Sequence, residues 1–257
     1  MGNLFVESQI PSLMLALQSE GTVQRAEREK AYLKSDLDFH GTPVPTIRKT
    51  AKAFSKAHPK LDPTDLFALV ETLWQSSYHE MRSLGIALLE QYPHLITVND
   101  LAFLEGLLRQ MRTWAHIDWI ATGPIAILIE RDPSAKTILA KWAIDDSFWI
   151  RRTAMLALMK RARTHREDFD LFAQFAAPMV EEQEFFIRKA IGWVLREVSK
   201  RQPEWTYAFL REHIDRVSGL TLREGAKYLP VEQREALLDK ARATRKKPES
   251  VSASHRI

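Results

Sequence analysis

The feature that most constrains the fold of this chain is a repeat. Six segments carry an apolar stripe at i, i+3 and i+4, often continuing to i+7 and i+8. They begin at Ile47, Met81, Ile117, Ile150, Ile187 and Leu222, at intervals of 34, 36, 33, 37 and 35 residues. The most regular stripe runs Ile187, Ala190, Ile191, Val194, Leu195. Each interval holds two helices and two short turns. One such hairpin cannot bury its own apolar face, whereas stacked hairpins share a core. The expected fold is therefore an all-α solenoid, an α-α superhelix of about six helical-hairpin repeats. A helical bundle with chance spacing is the alternative.

Local signals agree with helices. Proline stands in first-turn context at Asp62-Pro63, Asp132-Pro133 and Gln202-Pro203. Ser77 to Glu80 and Thr221 to Glu224 have the spacing of capping boxes. Alternating strand patterns joined by Asn-Gly or Asp-Gly turns are missing. The repeats are expected to form one domain over residues 1–240. A basic tail, 241–257, lacks apolar periodicity and is expected to be disordered.

Composition narrows the chemistry. Cysteine is absent, which excludes disulfides, thiol nucleophiles and Cys-ligated zinc and suits a reducing cytoplasm. No run of eighteen apolar residues and no secretory leader are evident, so a cytoplasmic protein off the membrane is expected. The eight histidines form no His-x-x-x-His pair, and no phosphate-binding glycine loop occurs, so neither a metal nor a cofactor is expected. The net charge of +4 misleads as a guide to partners. Residues 240–257 hold six cations against Glu249, so the body is close to neutral, and any polyanion site must be argued from where its charges lie.

That placement is ordered. One position after each stripe start stand Arg48, Arg82, Asp118, Arg151, Arg188 and Arg223. At 100° per residue this position flanks the buried stripe. Stacked repeats would align the five arginines in a row suited to a phosphate backbone. Equally, edge arginines often snorkel and pair with nearby glutamates. Asp118 interrupts the row, and a carboxylate facing a polyanion costs binding, so it asks for a chemical reason. Trp114 lies one turn before it on the same face. Trp193 falls six places after its own stripe start, off the buried face. Trp74, Trp119, Trp142, Trp149 and Trp205 are assigned mainly to packing. Arg152, beside Arg151, is expected to point further from the core. Two indoles and a carboxylate suit a cation, each indole contributing about 0.5–2 kcal/mol. On a DNA-facing surface that cation would be an N-alkylated purine, whose departure leaves an oxocarbenium-like sugar for the carboxylate to stabilise.

The residues also resemble a known family. The stretch Phe185-Phe186-Ile187-Arg188-Lys189-Ala190-Ile191-Gly192-Trp193-Val194-Leu195-Arg196-Glu197 is similar to the signature of the AlkD-type DNA alkylation repair glycosylases. Trp114-Ala115-His116-Ile117-Asp118 and Asp146-Ser147-Phe148-Trp149-Ile150-Arg151-Arg152 resemble two further motifs in the right order. The resemblance covers the body from about Tyr32 to Tyr228 and implies HEAT-like repeats curved around duplex DNA. It implies monofunctional excision of cationic N3- and N7-alkylated purines, 3-methyladenine or 7-methylguanine, without base flipping. Asp118 would then be the catalytic carboxylate, with Trp114 and Trp193 cradling the lesion nucleotide. Arg152, Tyr32, Arg48 and Lys49 would contact DNA, as would Arg82, Arg151, Arg188 and Lys189 along the row. The partner implied is double-stranded DNA bearing alkylated bases, bound by a monomer. Three positions depart from the family. Thr113 stands where a second Trp is frequent, Ala115 where an acid is, and His116 where a small polar residue is. Superfamily members that bind branched DNA without excising bases remain an alternative, as does a protein-interaction scaffold.

Overall fold

A computed structural model describes residues 4–111 and 113–246. The chain divides into two compact units, Met1–Lys141 and Trp142–Ile257. In chain order the helices of the first are α1 (Leu4–Gln18), α2 (Val23–Leu33), α3 (Val44–Ala57), α4 (Pro63–Trp74), α5 (His79–Gln91), α6 (Leu101–Arg109), α7 (Trp114–Ile120) and α8 (Ala126–Arg131). Helix α9 (Lys136–Trp142) leads into the second unit. That unit holds α10 (Phe148–Ala162), α11 (Arg166–Ala176), α12 (Phe185–Ser199), α13 (Pro203–Glu212), α14 (Gly219–Gly225) and α15 (Val231–Lys246). The chain is all-α. Among the described residues the one extended pairing is an isolated parallel bridge, Asp38 to Tyr78.

The 35-residue rhythm is the rhythm of every second helix. The six stripe starts lie in α3, α5, α7, α10, α12 and α14, and all are 2% exposed or less. In the first unit α5 packs between α3 and α7, with α4 folded back along α5. In the second, α12 packs between α10 and α14, while α11 lies on α10 and α13 on α12. Within each unit the stripes of neighbouring repeats are thus buried against one another, as stacked hairpins require. Asp62 and Asp132 accept from the backbone of Asp65 and Ser134, ahead of Pro63 and Pro133.

The contact between α12 and α14 depends on Gly192. A Cβ built there would stand 2.7 Å from Glu224 Cβ and 3.4 Å from the Thr221 backbone. Gly192→Ala should therefore destabilise the fold by about 1–3 kcal/mol, the usual cost of overpacking, despite its gain in helix propensity. Denaturant titration of the two proteins measures this, and an alanine variant as stable as wild type would refute the close contact.

Two local expectations are corrected. Neither capping box forms. Helix α5 starts at His79 with no side-chain cap, and Glu80 turns instead to the backbone of residues 40–42. The cap of α14 is Ser218, which accepts from Thr221 N, while Glu224 binds Lys189 and Arg196. In both cases tertiary donors outcompete a local one. Helix α15 runs past residue 240, to Lys246. Leu237 and Ala241 are buried one turn apart, and Thr244 donates to Asp215. Their spacing of i, i+4, i+7 is a short stripe that the surrounding charges conceal. Residues 247–257 of the basic tail lie outside the described residues.

Candidate active site

Asp118 and Trp114 share α7, one turn apart, in the first unit. Thr113 is buried and caps this helix by accepting from Ala115 N. Asp118 is 9% exposed. Trp114 is half-buried, and the 70%-exposed Tyr32 meets it edge-on, with ring centroids 5.6 Å apart at 82°. Two aromatics far apart in sequence thus form one surface beside the carboxylate's helix.

That helix is irregular where it matters. Immediately after α7 the backbone widens into a π turn over Ala121–Ile125, with Pro124 inside it. Proline has no N–H to give to a regular ladder, so the turn absorbs the mismatch. Thr122 donates its hydroxyl to the Asp118 carbonyl at 2.7 Å at the start of the turn. Glu90, on α5, lies against it, and a Cβ on Gly123 would stand 2.4 Å from Glu90 Oε1. Arg48 reaches Glu90 at 3.7 Å and lies 4.9 Å above the Trp119 ring. Burial raises the Glu90 carboxyl above its ordinary value, opposed by Arg48. Glu90 was invisible to sequence reasoning, because nothing local marks a glutamate that will face a helix thirty residues on.

Arg48 and Lys49 are exposed on α3, which has no acidic residue. Lys52 and Lys56 are exposed on the same arc, opposite the buried Ile47, Ala51 and Phe54. This basic face extends the two residues picked out from the sequence.

The arginine row proves to have a second occupation. Arg82 donates to the carbonyl of Ser76 at 2.8 Å, Arg151 to that of Asp145 at 2.7 Å, and Arg188 to that of Glu182 at 2.6 Å. In each case the acceptor lies six residues upstream, in the turn that enters the helix. The side chain folds back toward the helix N-terminus, as long helical side chains do, and staples its own turn. Arg151 adds an ion pair with Glu182 at 2.8 Å, and Arg188 a hydrogen bond with Gln183. A carboxylate has no proton to donate when ionised, so Asp118 cannot play this part. The repeat position is thus structural in at least three repeats, while Arg48 and Arg223 are exposed there.

In the second unit, Trp193 is half-buried on α12, beside the close contact at Gly192. Arg152 was expected to point away from the core, and it does not. It is 4% exposed, donates to the Phe186 carbonyl and lies 5.8 Å from the Phe186 ring. It ties α10 to the start of α12, where Phe148, Trp149, Phe185 and Phe186 gather. Lys189 is paired with Glu224 at 2.8 Å. That hydrogen bond, and the charges of Lys189, Arg196 and Lys227, hold the Glu224 carboxyl below the ordinary range.

Among the described residues no group of three or more histidine or carboxylate side chains is placed to hold a metal, and no helix is long and apolar enough to cross a membrane.

Comparison with known proteins bears on this arrangement. No curated protein matches the chain. A solved structure described as a predicted DNA alkylation repair enzyme from Enterococcus faecalis is similar, with 27% identity and a TM-score of 0.74, covering 82% of this chain and 98% of that one. AlkD2 from Streptococcus mutans shares the fold at 17% identity, with a TM-score of 0.60 over 81% of this chain and 99% of that one. The model of a family described as DNA alkylation repair enzyme matches residues 13–229, so the chain belongs to that family of helical-repeat repair proteins.

Proposed function

We propose that this protein is a monofunctional DNA glycosylase that removes cationic N3- or N7-alkylated purines from duplex DNA and leaves an abasic site. The observation that carries the reading is Asp118. It is a carboxylate at a repeat position otherwise held by arginine, one turn from Trp114, which Tyr32 meets edge-on. An alkylated purine is positively charged and leaves with the glycosidic electron pair, which neutralises the base. The deficit then lies on the deoxyribose. Asp118 stabilises that oxocarbenium-like sugar and orients the water that attacks it, an effect worth roughly 3 kcal/mol or more for one preorganised group. Trp114 holds the sugar and backbone of the lesion nucleotide, with Tyr32 extending the aromatic surface, and Trp193 contacts the DNA from the second unit. The base itself leaves from the stack without being flipped into a pocket.

The basic face of α3, with Arg48 and Lys49, takes the phosphate backbone. Arg82, Arg151 and Arg188 contribute from the turns to which they are stapled. Lys189 can reach a phosphate only by sharing itself with Glu224. The buried Arg152 acts by holding the start of α12. The protein acts as a monomer in the cytoplasm and needs neither metal nor cofactor.

The test is base release from duplex DNA carrying 7-methylguanine or 3-methyladenine. Wild type should release the base well above the spontaneous rate and leave an abasic site. Release at the spontaneous rate, with tighter binding to branched than to linear duplex, would instead assign a non-catalytic binder. Negligible DNA affinity would leave a protein scaffold.

A further inference from the structure

His116 lies between Trp114 and Asp118 on α7 and is 1% exposed. Its Nε2 is 3.0 Å from Ser83 Oγ and 3.2 Å from the His79 carbonyl, both on α5. A carbonyl only accepts, so Nε2 carries the proton and Nδ1 is bare. His116 Nδ1 is buried with no hydrogen-bond partner, as is His79 Nδ1. The two imidazoles stack at 4.2 Å and 16°. Phe39 stacks on the outer face of His79 at 4.7 Å, and Trp74 tilts against His116 at 5.5 Å. A buried column of rings thus runs from the 38–42 loop through α5 to α7.

We propose that His116 is the positioning residue of the candidate site. Neutral and donating through Nε2, it sets α7, and with it Trp114 and Asp118, against α5, and protonation of the ring column undoes that setting. The reading of α7 as the catalytic helix rests on the function proposed above, whereas the attachment of α7 to α5 does not.

Protonating His116 would place an N–H on its buried Nδ1 with nothing to accept it. The charged and titratable groups around the column are Arg82 and Glu80 on α5 and Asp38 and His40 on the loop. Asp38 pairs with Lys30, His40 stacks on Tyr78, and Glu80 accepts from the backbone of residues 40–42. None is placed to compensate a new cation, and Arg82 opposes it. Burial first, then Arg82, pushes His79 down to about 4. Burial, His79 and Arg82 hold His116 well below the ordinary histidine value, against the His79 carbonyl. The sign follows directly. Both rings are neutral in the folded protein, so the column is intact above the unfolded value of about 6.5 and is lost as pH falls toward about 4.

The experiment uses the full-length chain and its His116→Ala and His116→Asn variants. Single-turnover release of 7-methylguanine and duplex affinity are measured from about pH 4 to 8. Hydrogen exchange of the α7 amides is followed on the same samples. Wild type should lose rate on the acid side. His116→Ala should lower the rate about 10-fold or more with affinity within about twofold, because a small displacement of a reacting group costs rate more than binding. Its α7 amides should exchange at least about 10-fold faster. His116→Asn, which retains a donor for the His79 carbonyl, should recover most of the rate and flatten the acid limb. Wild-type rate and wild-type exchange in His116→Ala would overturn the proposal. A wild-type protein that releases no base refutes the glycosylase reading alone, and α7 exchange then decides the positioning. Should His116→Ala fail to fold, Ser83→Ala removes one of the two partners on α5, and unchanged exchange there overturns the proposal as well.

Discussion

Asp118→Asn should abolish most base release while leaving DNA binding intact. The side chain keeps its size and loses its charge, so the change isolates what the carboxylate does for a developing cation. Removing one preorganised electrostatic group costs about 10²–10³-fold in rate, or roughly 3–4 kcal/mol. Affinity should stay level or rise slightly, because a negative group has left a surface facing phosphates. Single-turnover release from 7-methylguanine duplex, beside a binding titration at fixed salt, separates the two quantities. A variant that still releases base at close to the wild-type rate would remove Asp118 from the mechanism. One that loses binding in proportion to rate would make it a structural residue.

Glu80→Ala should be among the most destabilising single changes, although Glu80 lies outside the candidate site. Its carboxylate is fully buried and accepts from the backbone of His40 at 3.0 Å, Gly41 at 2.6 Å and Thr42 at 3.1 Å. The same loop is held on its other side by the Thr42 hydroxyl, which donates to the Leu17 carbonyl at 2.7 Å. Removing the carboxylate strands three backbone donors, of which the buried Gly41 and Thr42 N–H groups cost about 1–3 kcal/mol each when unsatisfied. Partial rescue by relaxation should leave a net loss of about 4 kcal/mol, or roughly 10 °C in Tm for a chain of this length. Thermal unfolding measures it. A shift of only a degree or two would mean that the loop finds other acceptors. Base release at low temperature should fall less than for Asp118→Asn, because the loop leads into α3, which carries Arg48 and Lys49, whereas α7 carries the chemistry.

These two glutamate and aspartate residues mark what could be read in advance. The helices could, because an apolar stripe at i, i+3, i+4 has only one way to be buried. Ile187, Ala190, Ile191, Val194 and Leu195 are all 0% exposed. The singularity of Asp118 was also legible, since it is a break in a pattern. The roles of the charges were not. Ser77 and Glu80 have capping-box spacing, yet Glu80 serves a loop forty residues away. The flanking arginines looked like a phosphate row, and three of them first staple their own turns. Arg152 is adjacent to Arg151 and was placed outward by the same rotation, but a carbonyl at the start of α12 draws it inward.

By itself, the sequence determined the helices, the repeat length, the buried face of each repeat and the position of the one acid among the arginines. All of these follow from rotation per residue and the transfer of apolar surface out of water, which depend only on spacing. The tertiary structure alone decided which donor each charged or polar side chain meets. It set Glu80 on the 40–42 backbone, Glu90 against Arg48 and Gly123, and His116 between Ser83 and the His79 carbonyl. A hydrogen bond is directional and short, so its partner is chosen by which helix arrives within about 3 Å, and no local spacing encodes that.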